Sequence, residues 1–303
     1  MNISIIIVNW NTKDLLRDCL SSIYKTIDPL THEIIVVDNA SSDGSMAMLA
    51  AEYPQVKIIA NKENRGFGAA NNQGFAVMQG RYALLINTDA VLTAGAVQKL
   101  WAFAEANSRV AIVCGQLLNA DGSKQNSIAA FPTLLTLAVN TSLLEYLFPR
   151  RYPSKRYGHA GPLEVDSAIG ACMMIRKKAL DEVSFFDDRY FFFFEETDMA
   201  YAMKRSGWQI YQVPDALIYH LQGQSIGHNA RSRIEFYRSR YQFLRKWNGS
   251  MYYRTASLII FLRLIADALL NAVGVVLTLG LVTSLRQKMA VYMQIIKWHF
   301  CDR

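Results

Sequence analysis

The chain has 303 residues, 51% of them hydrophobic, and a formal net charge of +7. That length suits one large α/β domain or a domain plus an appendage, and core burial is not limited by composition. The charge is uneven: residues 231–303 carry 12 Lys and Arg against 3 Asp and Glu, while residues 1–230 carry 20 against 22. A near-neutral globular part argues against nucleic acid as the partner, and basic residues flanking very apolar segments point the tail toward lipid.

Strand-like and helix-like runs alternate from the start. Residues 3–8 form a continuous apolar run of buried-strand length, and Leu15, Leu16, Cys19, Leu20 and Ile23 have helical spacing across 15–24. No positive segment precedes residues 3–8, so they read as the first strand of the fold and not as a signal peptide, with the catalytic part on the cytosolic side. Further strands are expected at 33–37, 56–60, 82–86 and 110–114, and helices at 45–53, 68–78 and 94–106. The turn Ser41-Ser42-Asp43-Gly44 is placed to begin the second helix. Near-continuous Ile/Val strands separated by helices imply a mainly parallel sheet covered on both faces.

Residues 116–165 are less regular and are punctuated by Pro132, Pro149, Pro153 and Pro162. They read equally as an excursion over a site or as a surface insertion. Regular structure resumes at Val165 and through 167–175, followed by a helix at 177–183. Residues 231–247 are helical and rich in Arg and aromatics. Beyond them come 257–262, then Arg263 and Asp267 with i, i+4 spacing, then 18 residues without charge at 268–285. An interfacial or shallowly inserted helix pair is the favoured reading of this segment, ahead of a transmembrane span and a buried hairpin or oligomer contact. Cys19, Cys114, Cys172 and Cys301 lack CxxC spacing, so they suggest neither a zinc site nor a disulfide framework; each is expected to be buried or half-buried in a reducing compartment.

Polar residues stand where the strands run out. Asn9 and Asn11 follow the first, Asp38 ends the second, and Asn87-Thr88-Asp89 follows the fourth. An acid at the carboxyl end of a parallel strand faces the crevice where open α/β sheets bind ligands. After the third strand, Asn64-Arg65-Gly66-Phe67-Gly68 combines a basic side chain with glycines that let backbone approach a ligand at a helix start. A GxGxxG after the first strand is missing, which argues against a dinucleotide oxidoreductase. Downstream lie Glu195-Glu196-Thr197-Asp198 and His220. Carboxylates plus an imidazole can hold a divalent metal on a diphosphate and deprotonate a nucleophile.

As an ordered set these segments resemble the family 2 glycosyltransferases of GT-A fold, especially the rhamnosyltransferase-like branch. The resemblance rests on residues 5–11, 36–45, 64–74, 87–89, 170–176, 193–198 and 220–225. It implies a GT-A domain over 1–247, with a mixed, mainly parallel sheet flanked by helices, and a C-terminal helical membrane-associating segment over 248–303. Asn9, Asn11, Asp38, Arg65, Gly66, Asn71 and Asn87 would serve the nucleotide sugar. Asp89 and His220 would hold Mg²⁺ or Mn²⁺. Because Asn87 stands where the family often has a second acid, the cation would depend on the diphosphate. Glu196 is the best-placed catalytic base, with Glu195 and Asp198 beside it.

The implied activity is inverting, metal-dependent hexosyl transfer in cell-surface, O-antigen-like polysaccharide biosynthesis. The donor would be dTDP-rhamnose, with UDP sugars open, and the acceptor a saccharide or a polyprenyl-diphosphate-linked saccharide. The enzyme would sit at the cytoplasmic face of the membrane through its C-terminal segment. Two other classes stay open: a nucleotidyltransferase-type sugar-nucleotide enzyme and a non-catalytic membrane scaffold. A processive synthase is disfavoured because QxxRW is absent.

Overall fold

The computed structural model describes residues 1–221 and 230–301. Its first half runs β1 (Ile3–Asn9), α1 (Lys13–Thr26), β2 (His32–Asp38), α2 (Ser45–Glu52), β3 (Lys57–Ala60), α3 (Phe67–Val77), β4 (Tyr82–Ile86), β5 (Ala90–Leu92), α4 (Ala96–Ala106) and β6 (Val110–Leu118). The stretch expected to be irregular contains β7 (Ile128–Ala129), α5 (Leu134–Ala138) and α6 (Thr141–Leu147). Then come β8 (Leu163–Glu164), β9 (Ser167–Ala168), β10 (Cys172–Arg176), α7 (Lys177–Val183), α8 (Glu195–Arg205) and β11 (Gln209–His220). Three helices follow: α9 (Ala230–Trp247), α10 (Ser250–Leu277) and α11 (Thr283–Cys301). Residues 222–225 of the expected motif beginning at His220 lie outside the described residues.

The main sheet has the order β3-β2-β1-β4-β10-β6-β11-β5, with β8 paired to β11. The β3-β2-β1-β4 half is parallel throughout, whereas β10 runs antiparallel to both β4 and β6. The mixed, helix-flanked sheet expected from the sequence is therefore present. β1 lies between β2 and β4, so the chain leaves it in opposite directions and a crevice opens at the carboxyl ends of β1 and β4.

The apolar runs are continuous because each strand feeds two cores. Ile5 and Ile7 of β1, Ile34 and Val36 of β2, and Leu84 and Ile86 of β4 enter one cluster. Ile6, Ile35, Val37, Ala83 and Leu85 point to the other face. Helix α1 covers the first face with Leu16, Cys19, Leu20 and Ile23, and carries Asp14 in its first turn and Lys25 in its last, matching the helix dipole. Each such buried aliphatic side chain contributes about 1.5–3 kcal/mol. Cys19, Cys114 and Cys172 are buried as expected, but Cys301 is exposed because it ends α11 on an uncovered face.

The described chain divides into two compact units: residues 1–131 with 148–221, and residues 132–147 with 230–301. Helix α9 and the insertion 132–147 fall with α10 and α11 in the second unit. The second unit has its own core of Leu137, Tyr241, Leu244, Ala256, Ile260 and Trp298. Arg263 Nη1 donates to the carbonyls of Leu137 and Val139 at the end of α5, at 3.0 and 2.9 Å, and so caps that short helix rather than turning to Asp267.

Candidate active site

At the crevice, β1 and β2 end side by side, with Asn9 in register with Asp38. Asn9 Nδ2 donates to Asp38 Oδ1 at 2.8 Å, and the Ser41 amide donates to Oδ2 at 2.9 Å. The buried carboxylate is thus oriented by one donor on each oxygen, and each oxygen keeps lone-pair capacity for a ligand hydroxyl or imide. Asn11, at φ 54, accepts the Ser42 amide at 2.7 Å, while its own amide donates to Ser41 Oγ at 2.9 Å. Thr12 then ties this corner to β4: its hydroxyl lies 2.8 Å from Asn9 Oδ1 and 2.9 Å from Thr88 Oγ1.

Past β4 the half-buried Asn87 donates its amide to the Ala171 carbonyl at 2.9 Å. Two residues on, the buried Asp89 meets His220 at the end of β11, with Oδ1 to Nε2 at 3.4 Å. Gln125 sets the state of that imidazole. Its Nε2 donates to the His220 carbonyl at 2.6 Å, which turns Oε1 toward His220 Nδ1 at 3.0 Å. Nδ1 therefore donates to Gln125, and in the neutral ring Nε2 presents its lone pair toward Asp89. Two electron-rich atoms facing each other favour a cation between them. Ligand atoms that share one cation at about 2.1 Å lie roughly 3–3.4 Å apart, so this donor pair fits a divalent ion. Among the described residues no group of three or more His, Cys, Asp or Glu side chains could hold a metal, so phosphate oxygens would have to complete the shell.

The acidic run opens α8, and its first turn carries Glu195, Glu196 and Asp198. Phe193 and Phe194 precede it at φ 70 and 73, a left-handed backbone that bulky side chains rarely adopt. The loop before α3 braces this bend. Phe67 donates its amide to the Phe191 carbonyl at 3.0 Å and meets Phe192 edge-on at 6.2 Å between ring centroids. Gly66, at φ 85, has no room for a Cβ, which would stand 2.4 Å from the Phe191 carbonyl oxygen.

The three acids differ in surroundings. Asp198 accepts the Tyr190 hydroxyl at 3.1 Å, and Glu195 is buried with its Cβ beside Gly68. Glu196 is half-buried against Gly170, and its Oε2 is shielded from solvent without a hydrogen-bond partner among the described residues. Burial pushes its carboxyl from 4.5 up to about 7, although the amides of Gly170, Thr197 and Glu196 itself pull the other way. A carboxyl balanced near neutrality can accept a proton from a hydroxyl.

The structure thus brings Asn9, Asn11 and Asp38 together, joins Asp89 to His220, and connects Glu196 to the β4 end through the Gly170-Ala171 turn. Two of the residues expected to serve the nucleotide sugar also make contacts within the protein. The close approach at Gly66 is made by the protein's own Phe191, and Asn71 is buried with its Nδ2 on the Phe67 carbonyl at 3.0 Å. Both shape the loop. Arg65 is exposed on that loop. Gln125 was missed: it lies in the stretch that reads as irregular, and no local pattern marks it.

The profile of "Glycosyl transferase family 2" matches residues 4–184. The N-acetylglucosaminyl-diphospho-decaprenol L-rhamnosyltransferase of Mycobacterium tuberculosis is 26% identical over 227 residues, covering 70% of this chain and 74% of the relative. The low-salt glycan biosynthesis hexosyltransferase of Haloferax volcanii is 26% identical over 223 residues, covering 71% of this chain and 66% of the relative. Among solved structures, the mannosyltransferase PcManGT of Pyrobaculum calidifontis, in complex with GDP-Man and Mn²⁺, superposes with a TM-score of 0.60 at 16% identity. That match covers 100% of this chain and 88% of the other. TarS 1-349 of S. aureus superposes at 0.54 with 16% identity, covering 86% and 69%.

Proposed function

The chain belongs to glycosyl transferase family 2, and from that premise we propose that it moves a sugar from a nucleotide sugar onto a hydroxyl of a lipid-linked saccharide, inverting the anomeric centre. The observation that carries the proposal is the Asp89–His220 pair at 3.4 Å at the carboxyl end of the sheet. Glu196, near neutrality at the start of α8, supplies the other half of the chemistry. Rhamnose from dTDP-rhamnose is the donor we favour and a polyprenyl-diphosphate-linked saccharide the acceptor, since the mycobacterial relative is named for both kinds of group.

In this reading Asp38, held by Asn9 and the Ser41 amide, binds the nucleoside of the donor, with Asn11 shaping the same corner. Arg65 reaches over the nucleoside or diphosphate from its exposed loop, and Asn87 borders the sugar. Asp89 and His220 would hold a Mg²⁺ or Mn²⁺ ion, whose role when bound is to offset charge that builds on the departing nucleoside diphosphate. Gln125 keeps the His220 lone pair aimed at that position. Glu196 takes the proton of the acceptor hydroxyl as its oxygen attacks the anomeric carbon and the bond to the diphosphate breaks. Such base assistance is worth about 10²–10⁴ in rate. Glu195 and Asp198 pack the helix start and orient the base.

We assign the enzyme to the cytoplasmic face of the membrane that carries the acceptor, with the C-terminal unit as its means of attachment. By length and composition alone, its helix α10 would suffice to cross a bilayer. Calorimetry in the presence of Mn²⁺ with dTDP-rhamnose, UDP-glucose, UDP-galactose and GDP-mannose tests the donor assignment. Saturable binding of dTDP-rhamnose supports it, and binding of none of the four contradicts the transferase reading.

A further inference from the structure

In the second unit α10 and α11 form an antiparallel hairpin. Asn271 Nδ2 donates to the Leu285 carbonyl at 2.9 Å, a Cβ on Gly274 would touch Leu285, and Phe261 meets Phe300 edge-on at 5.4 Å. Burial is sorted along its length. The end nearer α9 is packed, with Ala256, Ile260 and Trp298 in the unit's core. The other end is bare: Leu277, Leu279 and Leu281 are 78%, 85% and 81% exposed, and Leu269, Leu270, Val273 and Val276 of α10 are exposed as well. An apolar tip of this size on a soluble surface marks an interaction site.

Charge spacing decides how such a tip can be covered. The hydrocarbon core of a bilayer is about 30 Å thick, which needs about 20 apolar helical residues. The longest stretch of α11 without Asp, Glu, Lys or Arg is 289–296, about 12 Å of helix. In α10 that stretch is 268–277, about 15 Å, and a span reaching further would bury Arg263 and Asp267. Because the arms are packed on each other, α10 cannot cross alone and leave α11 behind. Arg286 and Lys288 lie in the first turns of α11, within about 8 Å of its start along the axis. The stem of Arg286 lies over the turn, its Cδ 3.9 Å from where a Gly280 Cβ would be. That is the position from which a long cationic side chain reaches back to a phosphate layer while the turn sits among acyl chains.

We propose that the α10–α11 turn enters one leaflet of an anionic bilayer as a shallow wedge. Leu277, Leu279 and Leu281 lie at the acyl boundary, Arg286 and Lys288 lie at the phosphates, and both arms leave on the side from which they came. This rests on the membrane-association reading above and specifies its mode. Interfacial helices bury their apolar face about 5–10 Å deep, which matches the distance from the turn to the two cations.

The test uses the full chain with Cys301→Ser and single Leu281→Cys or Met251→Cys sites carrying an environment-sensitive fluorophore. Vesicles are phosphatidylcholine with phosphatidylglycerol. The wedge predicts a blue shift at 281, quenched more by lipids brominated near the glycerol than by those brominated deep in the chain, and no shift at 251. With the same cysteines left unlabelled, a membrane-impermeant thiol reagent trapped inside sealed vesicles should reach neither site. Its reaction at 281 would mean a span and would overturn the wedge. An unshifted 281 probe in a chain that sediments as a stable dimer would overturn it in favour of a protein contact.

Leu279→Asp with Leu281→Asp, in an already exposed turn, should weaken vesicle binding at least about tenfold and leave turnover of a water-soluble acceptor analogue unchanged. Arg286→Glu with Lys288→Glu should abolish the preference for phosphatidylglycerol, and a retained preference would contradict the assigned role of these cations. Loss of vesicle binding in the unmutated chain with turnover intact overturns the wedge alone. Vesicle binding without turnover on any acceptor supports the wedge and overturns the sugar-transfer reading instead.

Discussion

Glu196→Gln is expected to make the enzyme slower and the fold firmer at the same time. Burial moves the carboxyl from 4.5 to about 7. At about 1.36 kcal/mol per unit, keeping it ionised costs the folded state up to about 3 kcal/mol. The sign follows from proton binding. Between about pH 4.5 and 7 the folded chain holds this proton more tightly than the unfolded chain. Its contribution to stability is therefore fully present below about pH 4.5, declines as pH rises, and is lost above about 7. Gln carries no charge and shows no such decline. Near pH 8 the variant should be the more stable protein by up to about 3 kcal/mol, and near pH 4 the difference should vanish. Removal of the base should lower kcat by about 10²–10⁴ with little change in donor KM. The unmutated enzyme should gain activity as pH rises through about 7, since only the carboxylate accepts a proton. Thermal unfolding of both proteins in the same detergent across pH, together with initial rates, reads both effects. Unchanged kcat would exclude Glu196 as the base, and a stability difference that is flat or reversed with pH would mean that burial does not raise its carboxyl.

Asp89→Ala should abolish saturable Mn²⁺ binding in electron paramagnetic resonance titrations. Gln125→Leu should weaken Mn²⁺ binding about 10–100-fold by freeing the imidazole, and Gln125→Glu, which still accepts from Nδ1, should recover part of the loss; equal binding by all three proteins would remove Gln125 from the site. Asp38→Ala should raise the donor Kd about 10–100-fold by loss of a charge-assisted hydrogen bond, as measured by calorimetry, with Mn²⁺ affinity unaltered. Gly66→Ala forces a Cβ to within 2.4 Å of the Phe191 carbonyl at φ 85. It should cost about 1–3 kcal/mol in thermal unfolding and slow turnover by shifting the Phe191–Phe194 bend.

Strand ends were legible in the sequence because a buried run of Ile, Val and Leu can stop only where the sheet meets the crevice. Asn9, Asp38 and Asp89 stand at such stops, and the register that pairs Asn9 with Asp38 follows from parallel strands of similar length. Gln125 was not legible. It reaches His220 because the chain turns back after β6 through the bridge between Leu118 and Lys124, a tertiary event with no periodic signature. β11 was obscured by Pro214 and by the register shift between Gln212 and Leu217, which interrupt any alternating pattern. Gly66 could be read only as a place of close approach, since what approaches is Phe191, distant in sequence. The continuity of α10 through Arg263 was hidden for a similar reason: that guanidinium is satisfied by carbonyls of α5, far away in the chain.

The proposed sugar transfer depends on Glu196 and on the Asp89–His220 pair. It is tested most directly by mass spectrometry and anomeric NMR of the product formed from dTDP-rhamnose and a polyprenyl-diphosphate-linked N-acetylglucosamine in the presence of Mn²⁺. A lipid-linked disaccharide with inverted anomeric configuration is expected from the unmutated chain, and none within the same time from Glu196→Gln or Asp89→Ala. Product formed by all three proteins at one rate, or a product of retained configuration, would contradict it.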